Sequence, residues 1–223
     1  MRKFALLFLV LSIFLLSRQI QAQYAKSPYL NDPDKAIAYI NSCAKFWLST
    51  WDSSLGGFFS SIDRYGNAIW STNKNMLSQS RNAYGLSRAF MLTGDSTYLH
   101  QAGEALDFMY RHAWDNAYGG WFQDLDANGN ALNPYDNKTA FYQHYALLGI
   151  SAYYEATGDS TAWSWLMKGY DHLEKFFWDA RPAFSGYYDI TDFDGSNPRN
   201  KSFNATVDAI TTHLLYLYLM TEG

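Results

Sequence analysis

The sequence is short of the residues on which several common kinds of protein depend. Its 223 residues include a single cysteine, Cys43, and only five prolines. One cysteine excludes an intrachain disulfide and a zinc site built from cysteine pairs. Lysine and arginine form no cluster and the formal net charge is −4, so a nucleic acid partner is not expected.

Long apolar runs are also scarce, and the most prominent one lies at the N-terminus. Arg2 and Lys3 precede an apolar stretch over residues 4–16, and Ala22 ends a small-residue cleavage site. This pattern is typical of a signal peptide, which we predict over residues 1–22. The run is shorter than the about 20 apolar residues that cross a bilayer, so no stable membrane anchor is expected. We therefore predict an exported protein, periplasmic or secreted, with an uncleaved anchor as the alternative.

What the sequence does contain is an internal repeat of about 63 residues. The stretch 74–95 recurs over 138–159, with a lysine, a glutamine and a closing Thr-Gly-Asp in register. A Trp-Asp…Gly-Gly motif precedes both stretches, and a third, weaker copy begins at Trp178. The period fits a helix, a hairpin and a second helix within the single domain 23–223. The repeat units are approximately 32–95, 96–159 and 160–223.

Two kinds of helix alternate along the three units. Helices over 96–114 and 160–178 carry charges on one side, whereas the helices that end each unit are apolar nearly all round. The first kind is typical of a surface and the second of burial on both sides. Charged helices outside and apolar helices inside, with short β-hairpins between them, predict an all-α fold of the α/α toroid type. The predicted helices are 32–51, 75–93, 96–114, 140–157, 160–178 and 204–221.

The motifs, taken in order, resemble the N-acylglucosamine 2-epimerase superfamily, which includes cellobiose 2-epimerases and aldose–ketose isomerases. The residues that carry the resemblance are Gly-Gly-Phe-Phe over 56–59, Gln-Ser-Arg over 79–81 and Lys-Ser-Phe-Asn over 201–204. The resemblance implies an (α/α)6 barrel, of which about three of six units are present here, with the site in its lumen. It also implies proton transfer without a cofactor at C2 of a ring-opened aldose or disaccharide.

A closed barrel of six units needs about twice this length. We therefore expect either that the chain is part of a longer protein or that it is a half-toroid. A half-toroid would have to cover its open edge by forming a homodimer.

The resemblance places candidate catalytic residues on the apolar helices. Arg81 matches the family arginine that holds substrate oxygens, and Asn204 matches an asparagine that precedes the first catalytic histidine. The position of that histidine is occupied here by Asp208. An enediolate needs a fixed cation or donor, and a carboxylate can act as the base when burial raises its pKa. The predicted catalytic residues are Arg81, Asp208 and His213.

The repeat has its own consequence for the site. Arg81, Tyr145 and Asp208 each stand seven residues after the motif lysine of their unit, which predicts that all three face one lumen. A buried structural ion pair between Arg81 and Asp208 is the alternative. His144 and His213 could equally be core histidines. The predicted substrate-binding residues are Gln79, Tyr84, Gln143, Tyr145, Asn204 and Trp121.

One further stretch raises the question of a metal. Residues 124–129 resemble the start of an EF-hand loop, but the twelfth position is Tyr135 instead of glutamate. A hairpin turn is therefore favoured, and neither a metal site nor a cofactor is predicted.

The leading hypothesis is an exported carbohydrate epimerase or isomerase that acts on a small sugar. The first alternative is a glycoside hydrolase on the same toroid, which needs two carboxylates about 5–10 Å apart. Asp208 with Asp192 or Asp194 would be its candidates. The second alternative is a sugar-binding paralogue that keeps Arg81 and has lost the base.

Overall fold

The computed structural model describes residues 27, 29–30 and 32–221, apart from the side chains of residues 204–212. The predicted signal peptide lies outside the described residues. Residues 37–223 form one compact unit, and the contacts described below lie within it. No helix in the described part is long and apolar enough to cross a membrane. The helices are α1 Pro33–Leu48, α2 Met76–Thr93, α3 Ser96–His112, α4 Ala140–Thr157, α5 Ser160–Phe176 and α6 Phe203–Thr221.

The alternation of outer and inner helices is as predicted. Every residue from 143 to 152 on α4 is buried, which a helix at a surface could not achieve. The inner helix α4 packs against inner helices α2 and α6, while outer helices α3 and α5 pack on α2 and α4. The repeat therefore builds an inner row, α2, α4 and α6, covered by outer helices.

The Thr-Gly-Asp motif ends one helix and begins the next. Gly94 and Gly158 end the inner helices with φ of 72° and 67°, the left-handed region that favours glycine. The following Asp95 and Asp159 accept hydrogen bonds from the backbone amides of Thr97 and of residue 162, which caps α3 and α5.

The outer helices end earlier than predicted. The sequence placed their ends at residues 51, 114 and 178, whereas α1, α3 and α5 end two or three residues before these tryptophans. Trp51 and Trp114 instead form β-bridges to Phe58 and Trp121, and Trp178 belongs to a strand. The Trp-Asp motif thus closes a loop over the Gly-Gly turn and does not extend the helix.

Short strands tie consecutive units together. The strand that leads into each of the first two inner helices pairs, antiparallel, with the hairpin of the next unit: Lys74–Asn75 with Asp124–Leu125, and Lys138–Thr139 with Ile190–Thr191. The sequence predicts hairpins within each unit, so the pairing between units is a finding of the structure. The strands are β1 Lys74–Asn75, β2 Asp124–Leu125, β3 Lys138–Thr139, β4 Trp178–Asp179, β5 Gly186–Tyr187 and β6 Ile190–Thr191.

Helices α2 and α4 cross closely at Ser80 and Gly149. The Ser80 hydroxyl donates to the Tyr145 carbonyl at 2.6 Å and accepts from the Gly149 amide at 2.9 Å. A Cβ atom at Gly149 would stand 2.3 Å from the carbonyl oxygen of Ser80. Only glycine allows the two backbones to approach this far.

Substitution of Gly149 by alanine should therefore lower the free energy of unfolding by about 1–3 kcal/mol, because the two helices must separate. Gly85 is the matched control, since it stands at the same position on α2 and no atom lies within 4 Å of its added Cβ. Gly85→Ala should instead gain about 0.5–1 kcal/mol from helix propensity. Urea denaturation at sub-micromolar protein concentration measures both, and equal changes in the two variants would contradict this account.

Candidate functional site

Each unit's motif lysine is bound to the aspartate of that unit's Trp-Asp motif. Lys74 Nζ donates to Asp52 Oδ2 at 2.9 Å, and Lys138 Nζ donates to Asp115 Oδ2 at 2.7 Å. Lys201 repeats the contact with Asp179 at 2.6 Å. Sequence reasoning found both halves of this motif but did not pair them. Each pair fixes the loop that begins at the Trp-Asp motif to the segment that leads into the following inner helix.

Hydrogen bonds set the charge state of these aspartates. Burial alone would raise the pKa of Asp52, yet the bonds from Lys74 and from the amides of Ser54 and Leu55 together hold that pKa below its usual value. In the second unit, Lys138 also donates to the carbonyls of Gly119 and Phe193, each at 2.6 Å. The ammonium group is thus fully satisfied.

The two predicted glutamines have structural partners. The Gln79 amide accepts from the Phe58 amide at 2.6 Å and donates to the Phe58 carbonyl at 2.8 Å. Gln143 does the same with Trp121, at 2.7 and 2.9 Å. Both glutamines are buried, so a substrate contact would have to displace these paired bonds. Their assignment to substrate stays a prediction, and the geometry favours a role in holding each hairpin on its helix.

The Trp121 ring is similarly enclosed. It is 2% exposed and packs edge-on against Trp114 at 4.9 Å between ring centroids. A sugar could not stack on it without displacing Trp114.

The register of the seventh residue brings Arg81 and Tyr145 together, as predicted. The Arg81 guanidinium lies 4.5 Å from the centroid of the Tyr145 ring. Tyr145 and its neighbours form an apolar cluster separate from the main core. We call this surface of the inner helices the lumen face; its residues are Leu77, Arg81, Tyr84, Phe141 and Tyr145.

Arg81 has the attributes of a binding cation. Its side chain is exposed and forms no salt bridge with any side chain that the structure describes. The predicted partners on α6, Asn204 and Asp208, have side chains outside the described residues, so the ion-pair alternative stays open. Arg81 also lines a cleft of about 620 Å³ between α1, the first hairpin and α2.

A second cation lies on the same side of α2, two turns beyond Arg81. Arg88 forms a 2.6 Å salt bridge with Glu155 of α4, and its guanidinium lies 4.5 Å from the ring centroid of Tyr216 on α6. The Tyr84 hydroxyl is 3.4 Å from that of Tyr216, and burial, followed by this contact, raises the pKa of Tyr84. The cluster joins all three inner helices. The sequence signal for this cluster is the spacing of seven residues between Arg81 and Arg88. That signal was not recognised from the sequence alone.

His213 faces another histidine. Its Nε2 atom lies 3.3 Å from His144 Nδ1, and both side chains are fully buried. Burial, and then the neighbouring His213, lower the pKa of His144 well below its usual value. His213 lies five residues beyond Asp208, which places it about 140° further round the axis of α6. The two positions therefore lie on different faces of that helix. Its catalytic assignment stays a prediction, and the chemistry proposed below does not use it.

The EF-hand-like stretch is a turn closed by its own aspartate. Asp126 Oδ1 accepts from the amides of Asn128 and Asn130 at 2.8 and 2.9 Å. Asp63 makes the matching contacts in the first unit, at 2.8 and 2.9 Å to Tyr65 and Asn67. The carboxylate therefore has a structural use in both units.

Comparison with known proteins identifies the family. A family model described as N-acylglucosamine 2-epimerase (GlcNAc 2-epimerase) matches residues 57–220. The chain belongs to this family. The match confirms the resemblance that the motifs indicated.

Individual relatives agree with the family match. Cellobiose 2-epimerase of Ruminococcus albus is 27% identical over 178 residues, which are 78% of this chain and 44% of that protein. The structure of cellobiose 2-epimerase from Spirochaeta thermophila has a TM-score of 0.72 at 22% identity, covering 88% of this chain and 52% of that one. The chain thus spans about half the length of the relatives it matches.

The same fold also occurs in a glycosidase. A GH76 α-mannanase from Bacteroides thetaiotaomicron has a TM-score of 0.66 at 18% identity, covering 86% of this chain and 51% of that one. These likenesses confirm the (α/α)6-barrel type of fold, with about half of a barrel present here.

Proposed function

We propose that this family member is a carbohydrate 2-epimerase or aldose–ketose isomerase, and that the lumen face binds a small ring-opened sugar. The observation that carries the proposal is Arg81. It is an exposed guanidinium on the lumen face, supported by the Tyr145 ring, and no described carboxylate neutralises it. Family membership supports sugar chemistry, and the cellobiose 2-epimerase relative supports an aldose or disaccharide substrate.

The proposed chemistry needs a base and a fixed cation. A base removes the C2 proton, and the electron pair of that C–H bond moves to form the enediolate, whose negative charge lies on the C1 oxygen. Arg81 donates hydrogen bonds to that oxygen and lowers the energy of the charge. Asp208 is the proposed base, because it occupies the register position of Arg81 on the third inner helix. Delivery of a proton to C2 from the opposite face, by an acid on that face or by solvent, gives the epimer. Delivery of a proton to C1, with transfer of the O2 proton to O1, gives the ketose, and Asp208 returns its proton to solvent in the first route or to C1 in the second. Neither route requires a cofactor.

Substitution of Arg81 by methionine should slow exchange of the C2 proton with solvent about 100-fold or more, because one oxyanion donor is typically worth that factor. Arg81→Lys should retain part of the rate, since lysine keeps the positive charge but cannot donate the bidentate hydrogen bonds of a guanidinium. Proton NMR of an aldose or of cellobiose in heavy water measures the rate. Arg64→Met is the control, because Arg64 is an exposed arginine stacked on Tyr65. A normal rate in Arg81→Met would remove the basis of the proposal.

Export is part of the proposal and rests on the N-terminal sequence alone. Cleavage before Gln23 would leave the residues that build the fold intact. The intact mass of the protein from its native source tests this, and retention of residues 1–22 would contradict it.

A hydrolase is the second candidate, because the GH76 likeness shows that the fold can carry that reaction. Two of its three candidate carboxylates are engaged in a hairpin turn. Asp192 accepts from Asn197 at 2.7 Å and from Arg199 at 2.8 Å, while Asp194 accepts from the Ser196 hydroxyl at 2.6 Å. Release of reducing sugar without C2 exchange would favour this alternative.

A further inference from the structure

A polar pocket lies in the middle repeat unit, between the hairpin of that unit and the first turn of α4. Its volume is about 70 Å³. A cavity of this size holds several waters, which hydroxyl groups along one edge of a ligand can replace. Both neighbouring units contact the pocket, because Asn75 of the first unit and Phe193 of the third form hydrogen bonds with residues that line it. The pocket is therefore formed within the repeat and not at either end of the chain.

The loop that leads into α4 supplies free polar side chains to the pocket. Residues 133–136 form a β-turn, which is closed by a 3.1 Å hydrogen bond from the Asp136 amide to the Asn133 carbonyl. Asn133, Asp136 and Asn137 line the pocket and are exposed, and their side chains form no hydrogen bond with any residue that the structure describes. Amides and carboxylates of this kind donate to and accept from hydroxyl groups. The pocket is thus suited to a neutral ligand that is rich in hydroxyls.

The hairpin side of the pocket is fixed and borders the lumen face. The Asp124 carboxylate accepts from the side chains of Asn75 at 2.6 Å and Gln123 at 3.1 Å. The Asn75 side chain in turn accepts from the amide of Leu77, a lumen-face residue, at 2.8 Å. One hydrogen-bonded chain therefore joins the pocket to the start of α2.

A series of aromatic contacts leads from the pocket to Arg81. Tyr142 lines the pocket, and its ring centroid lies 5.6 Å from that of Phe141 on the lumen face. The Phe141 ring lies 4.6 Å from the Tyr145 ring, which supports the Arg81 guanidinium at 4.5 Å. Three contacts thus separate the pocket from the proposed oxyanion donor, a span that one small saccharide can bridge.

An exposed aromatic group stands beside the pocket. Tyr135 lies on the turn between two pocket residues and is 73% exposed. Its ring packs edge-on against Phe193 at 5.4 Å, and Phe193 packs edge-on against Tyr118 at 5.1 Å. Because these contacts hold the Tyr135 ring in place, a sugar ring that stacks on it would cost little side-chain entropy.

The repeat shows that these residues are not needed by the scaffold. The motif lysine and glutamine recur in the first unit, but the counterparts of Gln123, Asp124 and Asn133 there are a serine, a serine and a tryptophan. The segment from the turn glycine to the motif lysine is also longer, since it spans 129–138 in the second unit and 66–74 in the first. The second unit has therefore gained a turn with polar side chains on a frame that both units share.

We propose that this pocket and the Tyr135 ring bind a sugar ring of the substrate that does not react. The inference rests on the proposed function, because the reacting ring is the one that Arg81 binds. A disaccharide or short oligosaccharide is then preferred to a monosaccharide. Asn133, Tyr135 and Asp136 determine this preference and take no part in proton transfer.

Calorimetric titration of the protein with cellobiose and with glucose tests the proposal without requiring turnover. Cellobiose should bind about 10-fold or more tightly than glucose, since a few additional hydrogen bonds are worth at least that factor. Tyr135→Ala and Asp136→Ala should each weaken cellobiose binding about 5- to 10-fold more than glucose binding, and the double variant should abolish the preference. Tyr65→Ala is the matched control, because Tyr65 is an exposed tyrosine on the hairpin of the first unit.

The outcomes separate this proposal from the proposed function. Equal affinities for the two sugars in the wild type, or a preference that survives in the double variant, would overturn the pocket as a sugar site, whether or not C2 exchange occurs. A preference that the variants remove, in a protein without C2 exchange, would support the pocket and contradict the epimerase assignment. Circular dichroism confirms that each variant keeps its helices.

Discussion

Replacing Lys138 by methionine is expected to lower the free energy of unfolding by about 3–5 kcal/mol, because it leaves a buried charge without a partner. The Asp115 carboxylate is 3% exposed and takes its only described cation from Lys138, at 2.7 Å. The carbonyls of Gly119 and Phe193 lose their donor at the same time. This one ammonium group thus joins three segments of two units.

Urea denaturation at pH 7 measures this loss. Arg111→Met is the matched control, since Arg111 pairs with Asp107 at a surface where both side chains are more than half exposed. Such pairs are worth about 0–1 kcal/mol, so the control should change little. Adding Asp115→Asn to Lys138→Met should recover part of the stability by removing the buried charge. A loss below about 1 kcal/mol in Lys138→Met would contradict the account.

The second large expected effect is a loss of folding stability at low pH. His172 of α5 is 6% exposed, and burial, followed by the charge of Lys138, lowers its pKa to about 4. The unfolded chain binds this proton near pH 6.5, whereas the folded chain does not until about pH 4. The folded state is therefore destabilised as the pH falls through this window. The pKa difference between the folded and unfolded states corresponds to about 3 kcal/mol in the free energy of unfolding.

The repeat supplies the variant that tests this. Phe108 holds the position of His172 in the preceding unit, where it packs against Gly57 as His172 packs against Gly120. His172→Phe should have little effect at pH 7 and should retain about 3 kcal/mol more stability than the wild type at pH 4. His100→Gln, at an exposed site, is the control. Parallel stability curves for His172→Phe and wild type between pH 6.5 and 4 would disprove the role of His172.

Much of the fold could be predicted because its signals are local and repeated. The Thr-Gly-Asp motif carries both a left-handed helix end and a cap within three residues, and the predicted boundary between a helix ending at residue 93 and one beginning at residue 96 is confirmed. The apolar character of α4 likewise predicted its burial. The ends of the outer helices were wrong because Trp51 and Trp114 pair with residues seven positions further on, which helical periodicity does not indicate.

The contacts that could not be predicted join distant residues. Lys138 and Asp115 are 23 residues apart, and His144 and His213 are 69 apart. The sequence shows that such residues recur, but the pairing depends on how the units pack. Gln79 and Gln143 illustrate the consequence, because their bonds to the hairpins could not be predicted, while their assignment to substrate stays a prediction.

The repeat nevertheless separates structural residues from candidate functional ones. The motif lysine recurs in all three units and the glutamine in two, as expected of residues that every unit needs to fold. The seventh position changes from Arg81 to Tyr145 to Asp208, although the backbone geometry is repeated. A position whose chemistry varies on a constant scaffold is free to serve the site. This contrast is the strongest reason to place function on the lumen face.

Exchange of the C2 proton in heavy water tests the central claim most directly. When the protein is incubated with cellobiose or mannose in deuterium oxide, the reducing sugar should take up deuterium at C2. Proton NMR measures this exchange. Exchange at that carbon, with the glycosidic bond intact and with a loss of rate in Arg81→Met, is the predicted result. Cleavage of the glycosidic bond without exchange, or sugar binding without either reaction, would contradict the assignment of this lumen to epimerase chemistry.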